Sequence, residues 1–285
     1  IDIENIEINS NSKNSSKIKS ILSFKEQKKL KTIVNKENIP YLNRISSYKI
    51  EAKFKRWYLM SKEEAVKKMG ENAAQQISNG QLVGLGSGSA VAAFVNALGQ
   101  RIINENLEVR GIPTSMQVEI IAQKNGIILE SPSLIPEIDI VVDGADEIDK
   151  NQIMIKGGGG AHYREKIMIE AADKSIIVAD SSKYVDVITW PVPLEISEFS
   201  RFFVEEKIKA LGGNPVIRTL NKGYPFFTQN GNLVIDAYFN QITDPLKLEQ
   251  KLLNIPGIIA NGIFSMKIDT FLRANDDGSV EVVWV

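Results

Sequence analysis

The residues with the clearest chemical potential are four carboxylates that follow one apolar run. They come directly after residues 138–142, which have the composition of a buried strand, and they are Asp143, Asp146, Glu147 and Asp149. Strands of open parallel sheets end at a crevice where ligands bind, so acids just past a strand face a ligand more often than bulk water. We therefore predict that Asp143 and Asp146 form part of an active-site wall.

A lysine, four consecutive glycines and a further acid come next. Lys156 precedes the glycines, and Glu165 stands at the start of an amphipathic run. Glycines let the backbone approach a ligand closely, and the N-terminus of a following helix favours negative charge. Gly157, Gly158 and Gly159 would therefore bring main-chain groups to a substrate. The alternative is a solvated turn followed by a flexible loop.

A second glycine-rich loop has the composition of an anion site. Residues 81–85 form a strand-like run, Ser87, Gly88 and Ser89 follow, and an alanine-rich helix starts at Ala90. This order can hold a phosphate with backbone N–H groups and hydroxyls. A dinucleotide fingerprint would need glycine at the position of Ser89, and a P-loop would need Lys after Gly88. The alternative is a tight strand-to-helix turn without a ligand.

The chain contains few residues that could act in thiol or histidine catalysis or bind a transition metal. There is no cysteine, which excludes disulfides and thiol catalysis, and one histidine, which argues against a zinc site. That residue, His162, follows the glycines, where contact with a ligand and exposure to solvent both fit. Magnesium bound through the oxygens of Asp143, Asp146 and Glu147 remains an alternative.

The composition is that of an ordinary globular protein with an unusual first segment. The chain has 285 residues, of which 43% are hydrophobic, and no apolar run approaches the roughly 18 to 20 residues that span a bilayer. Residues 1–60 carry 13 Lys and Arg against 6 Asp and Glu and lack periodicity, which predicts a disordered basic Asn/Ser/Lys-rich extension. A targeting leader and a nucleic-acid-binding arm are the alternatives. Asp2, Glu4 and Glu7 argue against a typical transit peptide, and no motif supports nucleic-acid binding.

Strand and helix patterns alternate over residues 61–189. Ser61 and Glu64 form a capping-box signature for a helix over residues 62–78. Further helices are expected over residues 90–99, 116–125 and 163–174, and further strands over residues 107–112, 127–129, 138–142, 152–155 and 175–179. This alternation predicts an α/β fold with a mostly parallel sheet and helices on both faces. The loops that follow the strands should gather at one edge, which we predict to be the site.

The pattern changes at about residue 190. Residues 190–262 have the β-α-β-β-α-β order of a ferredoxin-like unit, with an Asn230-Gly231 turn and a helix capped by Asp244. We predict that this segment is a small ferredoxin-like α+β lid domain. The catalytic α/β domain would then comprise residues 61–189 and 263–285, with the last segment returning as a hairpin.

Four motifs, in this order and spacing, closely resemble the type A family of ribose 5-phosphate isomerases: GLGSGSAVAAFVNALG, DGADEID, IKGGGGAHYREKI and VADSSK. The resemblance covers residues 62–285 and includes LGGNPVIR and IPGIIANGIF. It implies metal-free and cofactor-free interconversion of ribose 5-phosphate and ribulose 5-phosphate through an enediolate, in the non-oxidative pentose phosphate pathway. It also implies a homodimer, sometimes a tetramer. From the residues themselves, neither a nucleic acid nor a membrane is expected as a partner.

The resemblance implies a role for each matching residue. Glu165 looks like the general base that moves a proton between C1 and C2, while Asp143, Asp146 and Lys156 handle ring opening and the hydroxyl protons. The phosphate or neighbouring hydroxyls would be held by Ser87, Gly88, Ser89, Ala90, Lys183 and Lys67, and further substrate contacts would come from Gly157, Gly158 and Gly159. The family usually has Thr at positions 87 and 90, so Ala90 offers only its backbone N–H.

Other functions on this scaffold are a sugar-phosphate sensor, an amino-sugar phosphate isomerase and an acyl-CoA transferase. A sensor would need the phosphate loop but not the acid and base set. An amino-sugar phosphate isomerase would employ a lid histidine, and His162 is in the wrong segment. The expected location is the cytoplasm, with a plastid as the alternative if residues 1–60 are a transit peptide.

Overall fold

The computed structural model describes residues 62–131 and 137–284. The predicted extension over residues 1–60 and the helix cap at Ser61 lie outside the described residues. The described residues form one compact unit. Among the described residues, no helix combines the length and the apolar character needed to cross a bilayer.

The strands are numbered in chain order. They are β1 (Leu82–Leu85), β2 (Arg110–Pro113), β3 (Ile128–Leu129), β4 (Ile138–Asp143), β5 (Glu147–Ile148), β6 (Met154–Ile155), β7 (Ala172–Asp180), β8 (Val192–Ile196), β9 (Asn214–Ile217), β10 (Leu233–Tyr238), β11 (Ile258–Asn261), β12 (Ile263–Phe264), β13 (Thr270–Ala274) and β14 (Val280–Trp284). The helices are α1 (62–74), α2 (Ser89–Glu105), α3 (Met116–Lys124), α4 (His162–Glu170), α5 (Arg201–Ala210) and α6 (Pro245–Leu253).

The largest sheet of the described residues has the strand order β14-β13-β7-β4-β1-β2-β3. All neighbouring pairs are parallel except β13 and β14, which form an antiparallel pair at the edge. The predicted mostly parallel sheet is therefore confirmed, and the predicted C-terminal hairpin is present as β13 and β14. Loops that leave β1, β2, β4 and β7 meet at the carboxyl edge of the sheet.

Helices cover both faces of this sheet. Successive side chains of a strand point to opposite faces, and in β4 Val142 belongs to one apolar cluster while Val141 belongs to another. The first cluster includes Met69 of α1 and Phe94 of α2, and the second includes Met168 of α4. The buried hydrophobic core of the large sheet is thus divided by the sheet into two layers.

Three helices differ in length from the sequence prediction, and the first of them, α1, was expected over residues 62–78 but ends at residue 74. The helix expected over residues 90–99 continues to Glu105 and ends at Asn106, which has a left-handed backbone with φ of 54°. The helix expected over residues 163–174 ends at Glu170, because Ala172 begins β7 and pairs with Ile138 of β4. Strand pairing in the sheet here outweighs the local helical pattern.

A second sheet is formed by the small lobe, which we define as β8 to β11 with α5 and α6. Its strand order is β11-β8-β10-β9, and all its pairs are antiparallel. Numbered within the lobe, this is the 4-1-3-2 order expected of the predicted ferredoxin-like unit. Asp244 caps α6 as predicted, since its side chain accepts a hydrogen bond from the N–H of Lys247 at 3.1 Å.

A short third sheet joins the two lobes. It has the strand order β12-β6-β5, and β12 follows the small lobe directly in the chain. The pairing of β12 with β6 is antiparallel, and the N–H of Lys156 donates to the carbonyl of Gly262 at 2.9 Å. The backbone that carries Lys156 is therefore held by residues distant in sequence.

Candidate active site

A buried lysine lies between two buried carboxylates. The Nζ of Lys156 is 2.9 Å from Oδ2 of Asp143 and 3.1 Å from Oε2 of Glu165. It also donates a hydrogen bond to the carbonyl of Gly144 at 2.6 Å. All three charged side chains are almost completely removed from solvent. A buried charge needs a partner, and here one cation neutralises only one of two carboxylates.

Three different elements place these side chains. Asp143 ends β4, Lys156 follows β6, and Glu165 lies in the first turn of α4. The other carboxylate oxygen of Asp143, Oδ1, accepts hydrogen bonds from the N–H groups of Ser87 at 3.2 Å and Gly144 at 2.7 Å. The carboxylate of Asp143 is therefore fixed on both sides, by backbone donors and by Lys156.

The close approach of β1 to Asp143 requires a glycine. A Cβ atom at Gly86 would lie 2.1 Å from Oδ1 of Asp143, far inside van der Waals contact. The N–H of Gly86 donates to the carbonyl of Val142 at 3.0 Å and holds the two segments together. The glycine thus allows the carboxylate to lie directly against the loop that leaves β1.

The two ionisable groups that face each other have shifted pKa values. Burial raises the pKa of Glu165 to about 7, with a further increase from the charge of Asp143 and an opposing decrease from Lys156. Burial alone would lower the pKa of Lys156, but the attraction of Asp143 and Glu165 outweighs it and holds the pKa above its ordinary value. Glu165 is therefore a carboxylate that can take and return a proton near neutral pH, beside a permanent ammonium group.

The glycine loop, residues 157–160, connects β6 to α4. The N–H of Gly158 donates to Oδ2 of Asp146 at 2.7 Å, and the N–H of Asp146 donates to the carbonyl of Ile155 at 2.8 Å. Gly157 has φ of 103°, a conformation that favours glycine. The predicted site residue Asp146 is thus brought to the backbone of the glycine loop, which directly follows Lys156.

The GSGS loop, residues 86–89, leads into α2. The hydroxyl of Ser87 lies 2.7 Å from Oγ1 of Thr114 and donates to Oγ of Ser115 at 3.0 Å. Gly88 has φ of 97°, and as a glycine it has no side chain to cap the helix that begins at Ser89. The first N–H groups of a helix lack intrahelical partners and favour an anion.

A cavity of about 390 Å³ connects these features. Its volume is within the usual range for small-molecule sites. Residues predicted for the site that line it are Ser87, Gly88, Ser89, Ala90, Asp146, Lys156, Gly157, Gly158, Gly159, Glu165 and Lys183. The cavity therefore has Glu165 and Lys156 in its wall together with the GSGS loop and the glycine loop.

Two predicted site residues do not line this cavity. Asp143 is fully buried beneath the wall and reaches the cavity only through Lys156, because backbone N–H groups and the ammonium group enclose its carboxylate. Lys67 is 77% exposed in its side chain, and its Nζ lies 3.8 Å from Glu71. The buried face of α1 contains Ala65 and Met69. At 100° per residue, Lys67 lies on the opposite face, away from the cavity.

Several lining residues were missed by the sequence analysis. Thr114, Ser115 and Gln117 follow β2. Their hydroxyl and amide groups come directly after a predicted strand, which is the same pattern that pointed to the other site residues. Arg164 precedes Glu165 on α4. The small lobe adds residues with no local signal, namely Phe226, Phe227, Gln229 and Asn230.

Arg164 connects α4 to the turn of the small lobe. Its Nε donates to Oδ1 of Asn230 at 2.9 Å, and its Nη1 donates to Oε1 of Gln229 at 3.0 Å. The turn itself is anchored on Glu195, whose Oε1 accepts hydrogen bonds from Thr228, Asn230 and Asn232. The cavity wall formed by the small lobe is thus tied to the helix of Glu165.

His162 and Glu147 are structural in this arrangement. His162 is fully buried, which excludes the exposed position considered for it, and burial together with Arg218 and Lys166 lowers its pKa to about 3. The carboxylate of Glu147 accepts hydrogen bonds from Thr189 and Trp190.

Within residues 62–131 and 137–284, no group of three or more His, Cys, Asp and Glu side chains is arranged to hold a metal ion.

Comparisons with known proteins identify the family of the chain. The family model described as Ribose 5-phosphate isomerase A (phosphoriboisomerase A) matches residues 110–278. The ribose-5-phosphate isomerase A of Methanosarcina acetivorans is 41% identical over 215 residues, which cover 75% of this chain and 92% of that protein.

Solved structures give the same result. Ribose 5-phosphate isomerase A from Methanocaldococcus jannaschii is 36% identical, with a TM-score of 0.74 over 78% of this chain and 99% of that one. A D-ribose-5-phosphate isomerase in complex with phospho-erythronic acid is 35% identical, with a TM-score of 0.74 over the same shares. The chain belongs to the ribose 5-phosphate isomerase A family.

Proposed function

We propose that this chain interconverts D-ribose 5-phosphate and D-ribulose 5-phosphate in the cavity, with Glu165 as the base that moves the carbon-bound proton. One observation carries the proposal: a buried carboxylate with a pKa of about 7 faces the ammonium group of Lys156 at 3.1 Å in the cavity wall. Proton transfer next to a carbonyl needs a base matched to the working pH and a positive group at the developing oxyanion.

The proton transfers balance within the substrate. The Glu165 carboxylate removes the proton from C2 of the open-chain aldose, and the electron pair forms the C1–C2 double bond while the C1 carbonyl oxygen becomes an oxyanion. That oxygen takes a proton as the C2 hydroxyl loses one, so the enediolate shifts its charge from O1 to O2. Glu165 then returns its proton to C1, which leaves a ketone at C2 and a carboxylate ready for the next turnover.

Lys156 and the glycine loop stabilise the charge on the enediolate. The ammonium group donates from one side, and backbone N–H groups of the loop donate from another, which is an oxyanion-hole arrangement. Asp146 and Lys156 are the candidates for ring opening, since both line the cavity. Asp143, which lies behind Lys156, positions the ammonium group and raises the pKa of Glu165.

The phosphate lies at the GSGS loop in this proposal. The N-terminus of α2 offers backbone N–H groups from Gly88 to Ala90, and Lys183 lines the same cavity. Ala90 lacks the side-chain hydroxyl usual at its position, so it contributes only its N–H. Lys67 has no part in this phosphate site, because it is on the exposed face of α1.

Residues 190–262 act as a lid in this proposal. The small lobe contributes Phe226, Phe227, Gln229 and Asn230 to the cavity wall, so a substrate would be enclosed between the two lobes. Amide hydrogen exchange with and without phospho-erythronic acid tests this role. Protection of residues 226–230 on binding is expected, and unchanged exchange there would contradict a lid.

The chain acts as a homodimer in this proposal, as the resemblance implies, and its expected location is the cytoplasm. The small lobe exposes Phe199 fully and Phe202 by 69%, an apolar surface that a second copy would cover. Light scattering on the purified protein tests the dimer, and a monomeric mass would contradict it. Fluorescent tagging of the whole gene product separates the cytoplasm from a plastid.

The activity is tested by a coupled assay of the purified chain with ribose 5-phosphate, with and without EDTA. Ketose formation that is unaffected by EDTA is expected. Loss of turnover with EDTA would contradict the metal-free mechanism. Binding of substrate without ketose formation would favour a sensor, and turnover of an amino-sugar phosphate in preference to ribose 5-phosphate would assign a different isomerase.

A further inference from the structure

The orientation of the peptide groups in the glycine loop decides where its N–H donors point. In a trans peptide the C=O and N–H bonds point in opposite directions, so a group that holds the carbonyls on one side directs the amides to the other. The N–H of Gly158 points to Asp146, which lines the cavity, with a hydrogen bond of 2.7 Å. The carbonyl of Gly157, which belongs to the same peptide, must therefore point to the side away from the cavity.

Arg218 of the small lobe holds two carbonyls of the loop. Its Nη1 donates to the carbonyl of Gly157 at 2.8 Å and to that of Gly158 at 3.1 Å. These carbonyls belong to the peptides whose amides are the N–H groups of Gly158 and Gly159. One guanidinium nitrogen thus fixes two consecutive peptides of the loop.

The guanidinium group is itself fixed by Asp236 of β10. Its Nε donates to Oδ2 of Asp236 at 2.9 Å, and its Nη2 donates to the other carboxylate oxygen. A bidentate pair of this kind sets the plane of the guanidinium group, which a lysine at the same position would not do. Phe226, which lies 5.7 Å from the Arg218 guanidinium carbon, also covers Gly160 from the small lobe.

We propose that Arg218, held by Asp236, is a positioning residue for the isomerisation: it directs the N–H of Gly159 into the cavity to bind the enediolate and keeps the N–H of Gly158 on the carboxylate of Asp146. The inference rests on the proposed function. A cation on the carbonyl side of a peptide also polarises it, which strengthens the N–H donor at the other end. Neither residue lines the cavity, so Arg218 acts on the substrate only through its neighbours, which are the backbone of the glycine loop and the ring of Phe226.

Arg101 provides a matched control outside the site. Its guanidinium forms a bidentate pair with Glu105 and donates to the carbonyls of Ala74 and Ile77. The side chains of Arg101 and Arg218 are both 15% exposed. Replacement of either arginine by alanine removes a bidentate carboxylate pair and two hydrogen bonds to backbone carbonyls. Only the carbonyls bound by Arg218 belong to the glycine loop.

The test compares Arg218→Ala, Arg218→Lys and Arg101→Ala in steady-state kinetics and in calorimetric binding of phospho-erythronic acid. Its carboxylate stands in for the enediolate oxygens. We expect kcat to fall about 10- to 100-fold in both Arg218 variants with a small change in KM, because misplaced N–H donors stabilise the transition state less. The affinity for phospho-erythronic acid should fall in parallel. Arg101→Ala should lose stability with unchanged kcat.

Chemical rescue separates positioning from a merely structural role. Methylguanidinium added to Arg218→Ala should restore part of kcat, while the same concentration should do nothing for wild type, Arg218→Lys or Arg101→Ala. If Arg218→Ala does not fold, Asp236→Asn provides the same test, with a smaller fall in kcat expected. Unchanged kcat in the Arg218 variants, or no rescue, would overturn the inference while wild-type activity stands. Absence of isomerase activity in the wild type would instead refute the proposed function.

Discussion

The Nζ of Lys156 lies 3.1 Å from Oε2 of Glu165, and both side chains are almost completely buried. The charges do not cancel, because the carboxylate of Asp143 also lies 2.9 Å from the same ammonium group. A second carboxylate beside one cation raises the pKa of Glu165, whereas the cation lowers it. The geometry thus supplies a base near neutrality and a fixed positive charge at the same point of the cavity.

Glu165→Gln removes the base and preserves the shape of the side chain. We expect kcat to fall by about two to four decades, the usual span for a general base, with the affinity for phospho-erythronic acid largely kept. Glu249→Gln is the control, because Glu249 is a partly buried glutamate outside the cavity that also pairs with a lysine, Lys166, at 2.8 Å. Near-normal turnover of Glu165→Gln would refute the assignment of the base.

The acid limb of the pH–rate profile should report the pKa of Glu165. Because burial raises this pKa to about 7, kcat/KM of the free enzyme should fall as the pH drops below about 7. Asp143→Asn removes a charge that raises the pKa, so the acid limb of its residual activity should move to lower pH. A limb that stays in place would show that another group controls it.

His162 should make stability depend on pH. Burial lowers its pKa from 6.5 to about 3, so the unfolded chain binds a proton that the folded chain does not. The contribution of neutral His162 to the free energy of unfolding is therefore fully present above pH 6.5. It decreases by about 1.4 kcal/mol per pH unit as the pH falls from 6.5 towards 3.

Urea unfolding of untagged wild type and His162→Gln between pH 7 and about pH 4.5 measures this contribution. The stability difference between the two proteins should change by that slope as the pH is lowered. The chain contains one histidine, so no other imidazole contributes. Parallel stability curves would contradict the lowered pKa.

Gly86→Ala should damage the site without altering any ionisable group. The new Cβ would lie 2.1 Å from Oδ1 of Asp143, so the carboxylate and with it Lys156 must move. We expect kcat to fall at least about tenfold. Gly126→Ala is the control, since open space surrounds that position and only its φ of 72° is strained, at a cost of about 1 kcal/mol. Equal kcat in the two variants would contradict the role of the close approach.

The α/β fold and most of the site were accessible from the sequence because both depend on local patterns. Apolar runs of strand length ended at the acids and at the GSGS loop, and parallel strands bring such ends to one edge. The glycine loop instead follows β6, which belongs to the antiparallel third sheet. The sequence also contained the information that the side chain of Lys67 lies on the helix face away from the cavity. Ala65 and Met69 set the buried face of α1, and two residues along a helix is 200° of rotation.

The contribution of the small lobe was not accessible in the same way. Arg164 bonds to Gln229 and Asn230 across 65 and 66 residues of chain, and Arg218 reaches the glycine loop across 61 residues. Such contacts depend on how one lobe packs against the other. Periodic patterns in the sequence predict helices and strands but not this packing. The burial of Asp143 is likewise a property of three segments that meet, not of the acids after β4 alone.

The pairing of β6 with β12 has a consequence for biosynthesis. Lys156 donates its N–H to Gly262, and Ile155 pairs with Ile263, so the strand that presents the lysine is completed more than 100 residues after it is translated. Contacts of such long sequence separation form late in folding. A ribosome-bound nascent chain would therefore contain all the chemical groups of the cavity well before it had a working enzyme, and a product truncated before residue 262 would have the residues but not the catalyst.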